Sequence, residues 1–397
     1  MLTHHQERLA RMALAHLVEP GRRDLAGLID EYGPVDTLRR LRSGSVGGRL
    51  GEAMERRDGP GTNRELERVL AHGERLGARV VIPEDEEWPQ QVTDLVLAGR
   101  REDADIAPPV CLWVRGGPRL DEALRRSVAL VGARAATEYG RHVATELGFG
   151  LADRGWTVVS GGAYGIDAAA HRGALAAGGV TVAVFACGVD TAYPVGHVSL
   201  FERIVEDGGL LVSEWPPGVN PQRHRFLVRN RLIAAATTGT VVVEAAARSG
   251  SRATLARAHR LARATMAVPG PVTSAMSVGT HLELREGRAH LVTTAQEVLE
   301  EVGRIGVDLA PLPQGGMQPR DALSPDAARV LDAVPAGRPV RADRVADVAG
   351  LPVRQVHRVL PQLVVAGMVE ETSDGYRLAP DHRAPTSAIR HATPTIR

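Results

Sequence analysis

The chain has 397 residues, 44% hydrophobic and 24% charged, with a formal net charge of +1. That is ordinary for a globular protein with two or three cores, and near-neutrality excludes a simple polycation, so any nucleic-acid site must be a local patch. The absence of lysine excludes a Walker-type GK[ST] loop and a Schiff-base lysine, and the two distant cysteines, Cys111 and Cys187, exclude a CxxC pair and fit a reducing compartment.

The first twenty residues, "MLTHHQERLARMALAHLVEP", carry early charges and no long apolar stretch, so they are not expected to be a signal peptide. Within residues 1–78, "RLARMALAHL" and "RELERVLAHGERL" place Leu and Ala at helical intervals, between turns such as "VEPGRRD" and "EYGPVD". An all-helical module is predicted there. "RVVIPEDEEWP" and "PPVCLWVRGGP" predict two short strands around a polar loop containing "AGRREDAD".

From Ser127 to Gly303 the pattern is strand, glycine turn, helix, repeated. "SVALVGAR", "WTVVSGGAYG", "TVAVFACGVD", "GTVVVEAAARSGS" and "TMAVPGPV" supply the strands. Near-continuous Val/Ala strands alternating with helices predict an α/β domain: a Rossmann-like, doubly wound parallel sheet covered on both faces. The apolar runs 174–189 and 232–247 are too short and broken to cross a bilayer and read as buried strands, so no membrane association is expected. Residues 304–322 read as a Pro/Gly/Gln linker. Residues 323–380 predict three helices and a hairpin with an Asp-Gly turn, the order of a winged helix. The tail 381–397 reads as disordered.

Three glycine turns lie where a strand ends and a helix starts: Gly132–Gly140, Ser160–Asp167 and Arg248–Thr254. In an open parallel sheet such turns share one rim, where helix N-termini attract anions. Each alone is better explained as a tight βα turn. Together, with Arg134, Arg248 and Arg252, they point to a phosphate-binding groove. None matches GxGxxG. Asp190 reads as a solvated loop carboxylate rather than a ribose ligand. Asp167 and His171 share a helix face without a third ligand, so a helix-start carboxylate and a packed histidine are expected rather than a metal site. "AMSVG" at 275–279 lacks the first glycine of a nucleophile elbow.

"NPQRHRFLVRNRLIAAATTGTVVVEA", from Asn220, gathers Arg223, Arg225, Arg229 and Arg231 around Phe226. The run is expected to lead directly into a buried strand, which would fix these charges to the sheet rim. Guanidinium groups suit phosphates and an aromatic ring suits a base, a combination fitted to single-stranded nucleic acid. Phe226 is equally readable as a core anchor. For Arg229 and Arg231 the competing reading is internal pairing with carboxylates such as Glu214 or Glu244.

"VALVGARAATEYGR", "VVSGGAYGIDAAAHRGAL", "VFACGVDTAYP", "LVSEWPPGVNPQRHRFLVRNRLIAA", "VVVEAAARSGS" and "VPGPV…GTHLELREGRAHLVT" follow one another in an order that resembles the DNA-processing protein A family, DprA or Smf. The resemblance covers about 125–303, with a SAM-like helical module before it and a winged helix after. It implies single-stranded DNA binding, a homodimer formed through the Rossmann-like domain, and loading of the RecA recombinase during natural transformation in the cytoplasm. Three departures stand out: Tyr164 sits where the family commonly has Arg, Pro361 lies inside the third helix of the winged module and is expected to kink or end it, and 96–107 looks like an insertion.

The expected division is thus 1–78, 79–303 with a motif core at 127–303, the linker 304–322, 323–380 and the tail. The expected DNA contacts are Arg134, Arg223, Arg225, Arg229 and Arg231 to phosphates. Backbone groups of the turns Ser160, Gly161, Gly162, Gly165 and Ser249, Gly250, Ser251 would join them, with Asn230 on the loop or a phosphate and Phe226 on a base. No catalytic residue, cofactor or metal is expected. The alternative is a nucleotide hydrolase of the related phosphoribohydrolase type, in which Gly239, Thr240 and Glu244 would remain of the catalytic loop.

Overall fold

The computed structural model describes residues 4–57, 62–98, 106–304 and 319–380. The tail prediction, most of the predicted linker and part of the 96–107 segment lie outside them. The chain forms two compact units, Met1–Pro311 and Leu312–Arg397.

The first unit is built on nine strands: β1 (Ala78–Val81), β2 (Leu112–Arg115), β3 (Ser127–Val131), β4 (Thr157–Ser160), β5 (Thr181–Phe185), β6 (Leu210–Ser213), β7 (Gly239–Val242), β8 (Ala264–Ala267) and β9 (His290–Leu291). Their order is β1-β2-β6-β5-β4-β3-β7-β8-β9. From β6 to β9 every pairing is parallel, whereas β1 and β2 extend the edge antiparallel. Chain order runs outward from β3 in both directions, so the switch point lies between β3 and β7, the place where open α/β sheets form a crevice.

β3 shows why the sheet is covered twice. Its alternating side chains enter opposite layers. Val128 and Leu130 pack with Ala144, Leu147 and Leu151 of the helix Glu138–Asp153. Ala129 and Val131 pack with Leu232 and Ile233 of the helix Arg223–Ala235. Fully burying each Val, Leu or Ile side chain among these stabilises the fold by about 1.5–3 kcal/mol.

That second helix corrects the expectation for the arginine run. Arg223–Ala235 does not lead directly into a strand; it forms thirteen residues of helix, and β7 begins only at Gly239. Arg, Leu and Ala are all good helix formers. The apolar run 232–247 is therefore shared between a buried helix end and β7.

Four helices precede the sheet: His4–Leu17, Arg23–Arg42, Gly48–Arg57 and Thr62–Arg75. Gly33, at φ +73°, breaks the second ahead of Pro34. Met12 and Ala15 of the first helix share a core with Ala78, Val80, Cys111 and Trp113. The helical segment is thus packed on the sheet edge within one unit. Among the described residues, no helix is long and apolar enough to cross a membrane.

The second unit contains the helices Pro325–Ala333, Ala342–Ala349 and Val353–Val365, then the hairpin β10 (Val369–Thr372) and β11 (Gly375–Leu378). Val330, Val345, Val356, Leu360 and Leu363 form its core. Pro361 does not end the third helix, which continues to Val365. The proline is exposed, between the buried Leu360 and Leu363, and near the helix end its missing N–H removes a single backbone hydrogen bond.

Candidate nucleic-acid interface

The carboxyl ends of β3, β4 and β7 border a groove of about 670 Å³. Gly132 and Arg134 line it from the turn after β3, and Ala163 and Asp167 from the turn after β4. Tyr193 comes from the segment after β5; Gln222, Arg223, Phe226, Arg229 and Asn230 come from the arginine helix and its start; Ser249, Gly250, Ser251 and Thr254 come from the turn after β7. All three glycine turns therefore do meet at one rim.

Two helix N-termini converge on this groove. Neither Arg223–Ala235 nor Gly250–Arg260 has an acidic residue in its first turn. The helices Glu138–Asp153 and Ile166–Ala176 do, in Glu138 and Asp167. Without a carboxylate, the positive end of a helix dipole stays available to an external anion, although Ser249 caps the second helix by accepting from Ser251 N. Arg134 and Arg223 are exposed beside them. The Arg134 guanidinium lies 5.1 Å from the centre of the Phe226 ring, and Tyr193 approaches that ring at 5.4 Å between centroids. Cation and ring thus lie together at the groove, with Phe226 partly buried against Ala186, Trp215 and Val228.

The other arginines of the run are buried. Arg229 is 5% exposed: it reaches under the second turn and donates to the carbonyls of Gly161, at 3.1 Å, and Val184. Burial pulls its guanidinium down to about 10. Facing it, the Asp167 carboxyl accepts from Gly161 N at 3.1 Å and Ala163 N at 3.3 Å; burial raises its pKa against the opposing pull of Arg229. Gly161 leaves room for that guanidinium, which a Cβ there would approach to 2.4 Å.

Arg225, 4% exposed, pairs with Glu19 at 2.6 Å and donates to Asn220 O at 2.7 Å. Arg231 is sealed from solvent and grips Glu214 with both terminal nitrogens, while its Nε donates to Ala107 O at 3.0 Å. The expectation that all four arginines present their charge to a phosphate therefore does not fit the geometry. Internal pairing is the observed state for Arg231, with Glu214 and not Glu244 as partner.

The second turn departs from expectation in the same way. Ser160 is buried and donates to Leu130 O at 2.6 Å. Gly161 spends its N–H on Asp167. Gly162 and Gly165, at φ +69° and +81°, allow close approach of Phe201 and of the Ala133 carbonyl. None of Ser160, Gly161, Gly162 and Gly165 lines the groove, and neither do Arg225 and Arg231. By contrast, Arg134, Arg223, Phe226, Arg229, Asn230 and Ser249–Ser251 do.

Asp190 is not a solvated loop group: it accepts from Gly218 N at 2.9 Å and meets His72 Nε2 at 3.0 Å. His171 is packed as expected, with Nδ1 2.7 Å from Thr181 Oγ1, and burial lowers its pKa to about 3. Ser277 of "AMSVG" is buried against Gly270.

Glu244, the acid the hydrolase alternative requires, is 1% exposed. It accepts from Thr137 N at 2.9 Å and Thr137 Oγ1 at 2.6 Å, and Gly140 leaves room for its carboxylate. It fastens the start of the helix Glu138–Asp153 and does not line the groove.

Sequence reasoning missed Tyr193 and Gln222 as groove residues and Glu19 as the partner of Arg225. Tyr193 lies in the "VFACGVDTAYP" motif, which signalled it; nothing local marks Glu19.

A family model described as DNA recombination-mediator protein A matches residues 79–303, and one described as the DprA winged helix domain matches 315–375. A protein of Mycobacterium tuberculosis named as a DprA-type DNA processing protein is 45% identical over 369 residues, 92% of each chain. Protein Smf of Escherichia coli is 38% identical over 68% of this chain and 71% of its own. The X-ray structure of DprA from Streptococcus pneumoniae aligns with a TM-score of 0.59 at 28% identity, over 76% of this chain and 99% of that one. A rim built by three glycine turns at the switch point, a winged helix after it and these likenesses agree: the chain belongs to the DNA recombination-mediator protein A family, DprA/Smf.

Proposed function

We propose that the protein binds single-stranded DNA in the groove between the three glycine turns, without strong sequence preference. The observation that carries this is the convergence of two acid-free helix N-termini with Arg134, Arg223 and the Phe226 ring on one cavity. Arg134, Arg223 and the backbone at Ser249–Ser251 contact phosphates; Phe226 stacks on a base, with Tyr193 at its side. Asn230 and Arg229 form the groove floor. Arg225 and Arg231 hold the frame through Glu19 and Glu214. Phosphate and ring contacts carry no base-edge readout, hence the lack of sequence preference.

Family membership supports a role in DNA uptake and recombination, in which a cytoplasmic homodimer shields incoming single strands and helps load the RecA recombinase. The protein acts as a binder, not a catalyst, and the buried Glu244 supports that reading over a nucleotide hydrolase. Binding of labelled single- and double-stranded oligonucleotides across a salt series tests the central claim. Preference for single strands at every salt is expected; equal affinity for duplex would overturn it.

A further inference from the structure

The turn after β4 carries a tyrosine that the groove does not absorb. Tyr164 is 50% exposed, yet its ring is held in place. It meets the His197 ring edge-to-face at 4.6 Å between centroids. His197 is buried, contacts Gly162 O through Nδ1 at 3.0 Å, and lies edge-on to Phe201 at 6.0 Å. At Gly196 a Cβ would come within 2.6 Å of the Tyr164 hydroxyl, so the ring lies closely over that segment.

The segment beneath Tyr164 also carries Tyr193, 41% exposed, which packs against Phe226 in the groove. Val195 and Val198 are exposed on the same stretch. Aromatic rings are thus exposed on both ends of one short segment: Tyr193, beside Phe226 in the groove, and Tyr164, whose ring lies against Gly196 and His197. Exposed rings on a basic rim are the device by which sequence-tolerant single-strand binders seat successive bases. A tyrosine packed against a histidine ring loses little freedom when a base covers its open face.

We propose that Tyr164 is a second base-stacking platform, which receives a base of the strand after it leaves the groove across Tyr193. This rests on the single-strand reading above. Tyr164 brings no charge, so its contribution is insensitive to salt, unlike that of the arginines.

The test uses the full chain with wild type, Tyr164→Ala, Tyr164→Phe and Tyr164→Leu, the last preserving apolar packing on His197 if Ala loosens the turn. Affinity is measured for single strands of increasing length, and for one long strand whose bases are replaced by abasic sites. On long strands Tyr164→Ala is expected to bind roughly tenfold more weakly, with an unchanged slope of log affinity against log salt. Tyr164→Phe is expected to match wild type and Tyr164→Leu to fall between. On the shortest strands, and on the abasic strand, wild type and Tyr164→Ala converge. Equal binding of Tyr164→Ala and wild type to long strands overturns the proposal, as does a loss in Tyr164→Phe as large as in Tyr164→Ala, which would assign the contact to the hydroxyl. If wild type itself fails to prefer single strands, it is the underlying reading that fails.

Discussion

Arg231 and Glu214 form a two-pronged ion pair shut off from water, Nη2 lying 2.7 Å from Oε1 with the two side chains 0% and 2% exposed. The pair joins the arginine helix to the residue just after β6. Replacing one member strands the other as a buried charge, which costs about 3–5 kcal/mol. Arg231→Ala is therefore expected to lower the melting temperature sharply while the salt dependence of DNA binding, measured on the folded protein, stays as in wild type. A flatter salt slope without loss of stability would return Arg231 to the phosphate-binding set.

Arg134→Ala and Arg223→Ala should do the reverse. Both side chains are exposed at the groove. Each substitution is expected to leave the melting curve in place, to weaken all single strands alike, and to reduce the log–log salt slope by about 0.7 for every phosphate no longer neutralised. Phe226→Ala should cost about 1–3 kcal/mol of binding with no change in slope. A salt titration of the three variants side by side reads these signatures.

Glu244→Gln should damage the fold rather than any turnover. Glutamine cannot accept both hydrogen bonds from Thr137 with the strength of a carboxylate. A loss of about 1–3 kcal/mol in stability is expected, and no release of free base from AMP by either protein. Base release by wild type that vanishes in Glu244→Gln would establish the hydrolase.

His171 sets an acid sensitivity. Its pKa is 6.5 unperturbed and about 3 in the fold, because burial disfavours the imidazolium. Between those values the unfolded chain binds a proton that the folded chain refuses. Its contribution to stability is thus complete above pH 6.5 and is lost as pH falls towards 3, at up to about 1.4 kcal/mol per pH unit. Denaturant titrations from pH 7 to pH 4 should show a shallower decline for His171→Gln than for wild type; parallel declines would exclude His171 as a source.

A fragment ending at residue 303 should fold and keep its preference for single strands, because the first compact unit runs from Met1 to Pro311 and holds the whole groove. A folded fragment without affinity would move the DNA site to the winged helix.

The strands β3, β4, β5, β7 and β8 were legible because burial on both faces leaves unbroken Val/Ala runs between glycine turns. The arginine helix was not, since arginines at 223, 225, 229 and 231 fall on several of its faces and mask the 3.6-residue period. β6 and β9 also escape the pattern: β6 is four residues inside a motif, and β9 only two. At the site, the meeting of the three turns followed from the topology of a parallel sheet. Which arginines face solvent did not, because that depends on Glu19 and Glu214, and Glu19 lies 206 residues from Arg225. Tyr164 read as a missing charge; only the placement of His197 and Gly196 shows its ring as a surface.

Glu19 holds the Arg225 guanidinium and accepts from Trp215 Nε1 at 3.1 Å, Arg11 grips Glu84, and His72 reaches Asp190. The helices before residue 79 are therefore stitched to the sheet-bearing part of the unit by pairs whose members lie on both sides of the point where the family match begins. Anyone building a chimaera by joining the leading helices of one relative to the sheet of another would sever these pairs at a junction that looks safe. Such a hybrid keeps the buried Arg225 ion pair only if Glu19 is carried over with it.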